Sequence, residues 1–389
     1  MIYYNINTPG GTRDRLFSEC VERRQVQQAL TGLFRRRGYR EVITPEVEFY
    51  DLFVRSGNPL SQEAMLKIID RSGKIMVMRP DCTTPIARVA ATRLKSVPLP
   101  QRLFYDQTVF RSGRAHHGES CEIAQCGIEM VGALGQKADL EMIVMAVDAL
   151  RCCGLEDFHI EVGHAGFFRM LSERLEISSE QLERVRQSIE GKNYAALNDL
   201  MEEFPASPAC HALRRLPYLF GGVEVLEEAR TLGGDHEALD YLQGLYEELQ
   251  TARYAAYIRF DLGLVHQIDY YTGVIFRGYA KGAGAPVLSG GRYDNLVEQL
   301  GRKAEATGFT VDVDAVGSCL TVEMPQLSTV VHFEAGCLAA ALAEVDACPE
   351  GSCELSPCRT LDSSLRLAKE KGATQVISVQ QDGKRVIVL

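Results

Sequence analysis

The chain has 389 residues, room for roughly two to three domains and at least one sizeable core, with 46% hydrophobic and 24% charged residues, ordinary for a soluble globular protein. No run of about 18 apolar residues is present, which argues against a helical membrane span, and Met1-Ile-Tyr-Tyr-Asn-Ile-Asn7 lacks the basic start and apolar stretch of a secretory signal. The net charge of -10 weighs against nucleic acid as the main partner, although an acidic protein can still carry a local basic face.

Thr8-Pro-Gly-Gly-Thr12 reads as a turn-rich entry. Val26, Ala29, Leu30, Leu33 and Phe34 recur at helical spacing and predict an amphipathic helix over 18–37, stopped by Gly38. Glu41 to Tyr50 begins as an apolar strand broken by Pro45, and short strands are expected at 75–79 and 103–105. Ile123 to Val131 predicts a strand with Gln125, Gly127 and Glu129 alternating onto one face, followed by a helix over 138–152. From about Ala165 to Arg253 the pattern turns helical and acidic, with helices at 167–175, 179–188, 194–202 and 237–249. Strand signals return at 256–260 and 272–279, so residues 165–253 read as a helical insert within a sheet core spanning 1–325. Residues 326–389 read as a small α/β unit: strand 329–333, helices 337–344 and 361–371, and strands 375–379 and 384–389 joined by an Asp382-Gly383 hairpin turn.

Twelve cysteines without an export signal read as free thiols of a cytoplasmic protein. Cys348, Cys353 and Cys358 lack the paired short gaps of zinc or iron–sulfur sites, so no metal is expected. His116-His117 are adjacent rather than spaced along a helix face and predict a polar loop. Lys281-Gly-Ala-Gly-Ala lacks the Gly-Lys-Ser/Thr of a phosphate loop and reads as a turn between strands. Asp312 and Asp314 read as a helix-entry acid pair. Considered singly, Gln125 and Glu129 could be solvated polar residues, and Tyr270 and Tyr271 core aromatics.

The combination and its order along the chain are more specific. Arg79-Pro-Asp-Cys-Thr83, Phe104 to Arg111 running on to Gln125-Cys-Gly-Ile-Glu129, Asp269-Tyr-Tyr271, and Gly290-Gly-Arg-Tyr-Asp-Asn-Leu-Val-Glu-Gln-Leu300 resemble the amino-acid pocket of histidyl-tRNA synthetases. The resemblance runs from Thr8 to about Leu320. It implies an α+β fold: a class II synthetase-like antiparallel sheet flanked by helices. It also implies L-histidine as ligand, held by Asp81, Thr83, Gln125, Glu129, Tyr270 and Tyr271, with Arg111 facing the free carboxylate. Such a set suits histidine, whose amine needs acidic or carbonyl acceptors and whose ring needs carboxylate or hydroxyl partners.

The departures from that pattern concern the reaction centre. The arginine three residues before the aspartate of Asp-Tyr-Tyr is His266, followed by Gln267 in place of glycine. Gly308-Phe-Thr-Val-Asp-Val-Asp-Ala315 ends in alanine where the third class motif has its ATP-clamping arginine. The second-motif glutamate is Gly113, and Gly118-Glu-Ser-Cys121 replaces a run with two further arginines. A histidine is mostly neutral near pH 7 and cannot stand in for a guanidinium fork. Adenylation, which needs fixed positive charge at the α-phosphoryl group, is therefore not expected, and no catalytic residue or cofactor is assigned.

A kept pocket beside a lost reaction centre resembles the regulatory subunits of short-form ATP phosphoribosyltransferase. That resemblance implies a non-catalytic subunit that activates the short catalytic subunit, the first enzyme of histidine biosynthesis, and carries feedback inhibition by L-histidine. It further implies a homodimeric core, paired around Glu41 to Tyr50, within a hetero-oligomer, and no tRNA partner. The alternatives are an active histidine–tRNA ligase, another histidine-activating ligase, and an amino-acid-binding module of a stress sensor.

Overall fold

The computed structural model describes residues 7–55, 61–112, 120–175, 177–265 and 270–389, in two compact units, Met1–Thr321 and Val322–Leu389. The first unit opens with α1 (Ser18–Arg36), which buries Val26, Leu30, Leu33 and Phe34 on one face and ends before Gly38, whose φ of 83° leaves the helical region. β1 (Arg40–Glu41), β2 (Val47–Phe49), α2 (Tyr50–Arg55), β3 (Lys67–Ile69), β4 (Ile75–Met78) and α3 (Thr83–Ala91) follow. Next come the long strands β5 (Gln101–Phe110) and β6 (Glu122–Val131), then α4 (Gln136–Cys152) and β7 (Phe158–His164). The run after β7 is helical: α5 (Ala165–Glu173), α6 (Ser179–Glu190), α7 (Tyr194–Glu202), α8 (Pro208–Arg215), α9 (Glu224–Gly233) and α10 (Glu237–Thr251), with the two-residue β8 (Phe220–Gly221) between α8 and α9. β9 (Ile258–Asp261), β10 (Val274–Ala280), β11 (Leu288–Arg292), α11 (Leu296–Gln299), β12 (Ala306–Asp312) and α12 (Val313–Gly317) complete the unit.

The described strands of the large sheet run β1-β5-β6-β12-β11-β10-β7-β9-β8. Its body from β5 to β7 is antiparallel, with β1 and β9 added in parallel, so the antiparallel sheet expected of the fold class is present. β2, β4 and β3 form a separate antiparallel sheet.

The alternation of β6 divides the protein. Cys126, Ile128 and Met130 join Phe104 and Phe309 under α1 and α4, where Phe34 packs 6.0 Å from Phe104 and 6.1 Å from Phe309 between ring centres. Each large apolar side chain buried this way contributes about 1.5–3 kcal/mol. Gln125, Gly127 and Glu129 therefore face the other side of the sheet, which is where the cavity lies.

The second unit contains β13 (Thr329–Phe333), α13 (Leu338–Asp346), β14 (Cys353–Leu355), α14 (Leu361–Glu370), β15 (Gln375–Gln380) and β16 (Gly383–Val388). Its sheet order is β14-β13-β15-β16, with β14, β13 and β15 parallel and β16 antiparallel across the expected hairpin. Ala341 of α13 packs with Val331 and Ile377, and Ala368 of α14 with Val330 and Val376, so the two helices cover opposite faces. No helix among the described residues is long and apolar enough to cross a membrane.

Candidate functional site

Directly opposed residues in antiparallel strands point to the same face, so strand register alone lays out the floor of the site. One transverse row reads Leu103, Glu129, Gly308, Gly291, Ile275 and Gly163. The next reads Tyr105, Gly127, Thr310, Ser289, Arg277 and Glu161. A third pairs Gln107, Gln125 and Asp312. Glycines beside Glu129 leave bare backbone there, and the cavity above holds about 410 Å3, within the range of small-molecule sites.

The start of α3 supplies one wall. Asp81 accepts hydrogen bonds from the backbone N–H of Thr84 at 2.7 Å and from its hydroxyl at 3.3 Å, which fixes the carboxylate beside the helix entry. Thr83 Oγ1 donates to Glu129 Oε1 at 2.7 Å, and the Tyr293 hydroxyl donates to Oε2 of the same carboxylate. Glu129 is only 1% exposed. Burial pushes its pKa up to about 8, helped by the neighbouring Asp81 charge, and outweighs the two hydrogen bonds that favour ionisation.

Tyr270 stacks on Tyr293 at 5.5 Å and meets Tyr271 edge-on at 5.2 Å. Burial raises both phenols, so they stay neutral hydrogen-bonding groups at physiological pH. Arg111 is tethered by its Nε to the carbonyl of Pro80 at 2.8 Å. Gln125 is buried, with its amide turned to the cavity. All seven residues singled out from the sequence, Asp81, Thr83, Arg111, Gln125, Glu129, Tyr270 and Tyr271, line this one cavity.

Four further lining residues, Tyr293, Arg277, Ser289 and Thr310, were not singled out. Tyr293 had a usable signal, since it sits inside the Gly290-to-Leu300 motif. Its place depends on Arg292, whose side chain is 7% exposed and reaches both oxygens of Asp139, the carboxylate of Asp294 and the carbonyl of Ala133. Arg292 thus locks β11 to α4 while the next residue turns into the pocket.

The other motifs are structural. Asp312 caps α12 by accepting from the backbone N–H groups of Asp314 and Ala315, and Asp314 pairs with Arg15 at 2.7 Å. Lys281 to Ala285 lies between β10 and β11. Cys353 lies in β14, and Cys348, Cys353 and Cys358 are free thiols. Gly113, His116, His117, Gly118, His266, Gln267 and Asp269 lie outside the described residues.

The histidyl-tRNA synthetase family model matches residues 11–316. An ATP phosphoribosyltransferase regulatory subunit of Clostridium kluyveri is 42% identical over 315 residues, covering 79% of this chain and 80% of that protein. The regulatory subunit of Clostridium novyi is 36% identical over 385 residues, covering 96% and 91%. The chain belongs to the ATP phosphoribosyltransferase regulatory subunit family. A solved Bacillus halodurans protein, described as an ATP phosphoribosyltransferase regulatory subunit/histidyl-tRNA synthetase, superposes with a TM-score of 0.86 at 30% identity, covering 98% of this chain and 100% of that one. Histidyl-tRNA synthetase from Nostoc shares the fold at a TM-score of 0.78 and 18% identity, covering 99% and 97%.

In this regulatory-subunit chain the third-motif position is part of the packing. Ala315 donates its backbone N–H to Asp312 at 3.0 Å and packs against the core, so α12 presents no cation there. The retained second-motif arginine, Arg111, still lines the cavity.

Proposed function

We propose that this chain is the non-catalytic, histidine-sensing subunit of a short-form ATP phosphoribosyltransferase. The observation that carries the reading is the convergence of all seven polar and aromatic residues on one cavity while position 315 of α12 holds a half-buried alanine packed against the core. Histidine's ammonium would sit against Asp81, Thr83 and Glu129, its ring between Tyr270, Tyr271 and Glu129, and its carboxylate at Arg111 and Gln125. The family name supports a phosphoribosyltransferase partner. Histidine bound in the pocket favours one quaternary state, and the catalytic partner binds its substrates less well in that state.

A homodimeric core fits the small sheet, where Phe49, Ile69 and Ile75 are exposed alongside Ile43. The protein works in the cytoplasm, without tRNA. The test is reconstitution with a short phosphoribosyltransferase: the partner alone, with wild-type chain, and with a Gln125→Ala/Glu129→Ala variant. The variant is expected to activate the partner and to lose inhibition by histidine. Equal inhibition of both assemblies would place the histidine site elsewhere, and a partner indifferent to the chain would end the subunit assignment.

A further inference from the structure

The pocket contains more positive charge than the residues described so far use. Its lining carboxylates are Asp81 and Glu129, and its lining cations are Arg111 and Arg277. Glu129 is held largely protonated near neutral pH by its burial, which leaves Asp81 as the fixed anion against two guanidinium groups.

Arg277 is the unassigned cation. It projects from β10 into the half-enclosed cavity, and among the described residues it makes no hydrogen bond and no ion pair. Glu161, beside it on the same row, is engaged instead with His159, whose Nε2 lies 3.3 Å away. The row continues from Arg277 to Ser289 on β11 and Thr310 on β12. The Ser289 hydroxyl makes no hydrogen bond among the described residues, and the Thr310 hydroxyl, shut off from solvent, lies against the Tyr105 phenol without a hydrogen bond of normal geometry. Gln125 lies one row further on β6, 6% exposed and also without a partner among the described residues. A shielded polar group without a partner is costly unless a ligand or water satisfies it. Here a guanidinium, two hydroxyls and an amide without protein partners among the described residues face one cavity side by side, and of these the Thr310 hydroxyl is the one sealed from solvent.

We propose that Arg277, Ser289 and Thr310 form an oxyanion subsite, open toward Arg111 and Gln125 and separate from the Asp81–Thr83–Glu129 end of the same cavity. A guanidinium fork flanked by hydroxyl donors matches a carboxylate or a phosphate group and has nothing to offer a cation. The oxyanion is either the free carboxylate of the bound amino acid, which makes Arg277 a specificity determinant for the acid over its amide or alcohol, or the phosphate of a second ligand seated beside it. The proposal shares its cavity with the histidine reading but does not require histidine to be the occupant.

Calorimetry on the intact chain separates the cases, with L-histidine, L-histidinol (an alcohol in place of the carboxylate) and inorganic pyrophosphate as probes. Wild type is compared with Arg277→Gln and Ser289→Ala, each checked by its thermal melt. If the subsite reads the amino-acid carboxylate, Arg277→Gln weakens histidine on the order of tenfold or more and leaves histidinol unchanged. If it reads phosphate, pyrophosphate binds wild type in the presence of histidine and is lost in Arg277→Gln, while histidine affinity stays the same. Pyrophosphate binding that depends on Arg277 in a protein that ignores histidine would retain the subsite and remove the histidine assignment. Unchanged affinity of Arg277→Gln and Ser289→Ala for every probe that binds wild type overturns the proposal. Arg277→Lys keeps the charge without the fork and substitutes for Arg277→Gln if that variant does not fold.

Discussion

Glu129 on β6 and Gly308 on β12 are directly opposed across the sheet, and a methyl group added at position 308 would fall inside the van der Waals surface of the Glu129 carboxylate. The glycine is required by the close approach of this buried acid. Gly308→Ala must therefore displace Glu129, and with it the bonds from Thr83 and Tyr293. A cost of about 1–3 kcal/mol in stability is expected from the overpacking, together with loss of histidine binding. Thermal melts with and without histidine measure both, and a variant that melts and binds as wild type would contradict this account of the pocket floor.

The titration of Glu129 is expected to make histidine binding pH-dependent. Its pKa is raised to about 8 in the folded protein, so between roughly pH 4.5 and 8 the native state holds a proton that the unfolded state has released. The stability contributed by this group is fully present below about pH 4.5 and is lost as pH rises through about 8. Histidine supplies cationic partners that favour the ionised carboxylate, so its binding near pH 7 is expected to release a proton. Calorimetry in buffers of different ionisation enthalpy reads that proton directly. The release should vanish in Glu129→Gln, and a wild-type enthalpy independent of buffer would remove Glu129 from contact with the ligand's charge.

Asp139 and Arg292 are 2% and 7% exposed at their side chains and hydrogen-bond through three short contacts. Removing Asp139 leaves the buried Arg292 with only the more exposed Asp294 as counter-charge, so the loss approaches the roughly 3–5 kcal/mol of a broken buried pair. Asp139→Ala is expected to lower stability by that order in denaturant unfolding. The double variant Asp139→Leu/Arg292→Met should recover part of the loss. Because Tyr293 follows Arg292 directly, the single variant should also weaken histidine binding, whereas an unaffected melt would show that the pair contributes nothing net.

Large, regularly spaced apolar residues made parts of the fold legible. Helix α1 follows from Val26, Leu30, Leu33 and Phe34, and β6 from the alternation that sends Gln125 and Glu129 away from Ile128. Helix α3 escaped because its buried face is built mainly from alanines, Ala87, Ala90 and Ala91, which carry little amphipathic contrast. Strand β11 escaped because Gly290 and Gly291 argue against a strand by propensity, yet burial on both faces admits nothing larger. In the site, residues carried by the family pattern were readable. Arg277, Ser289 and Thr310 were not, because their proximity arises only from the register of three strands.

On the non-catalytic reading, the chain is expected to make no histidyl-adenylate. Stabilising charge on an α-phosphoryl group requires donors fixed before the reaction, and a single missing group typically costs about 10²–10³ in rate. At the third-motif position Ala315 helps close the cap of α12 and packs half-buried against the core, so no flexible side chain there can swing toward the cavity. Histidine-dependent exchange of pyrophosphate into ATP is therefore expected to stay at the protein-free level. Ala315→Arg should not restore it, since the sequence keeps His266 and Gly113 where the synthetase pattern carries an arginine and a glutamate. Exchange by tag-free wild-type protein, abolished by Arg111→Ala, would instead identify an active ligase and overturn the non-catalytic reading.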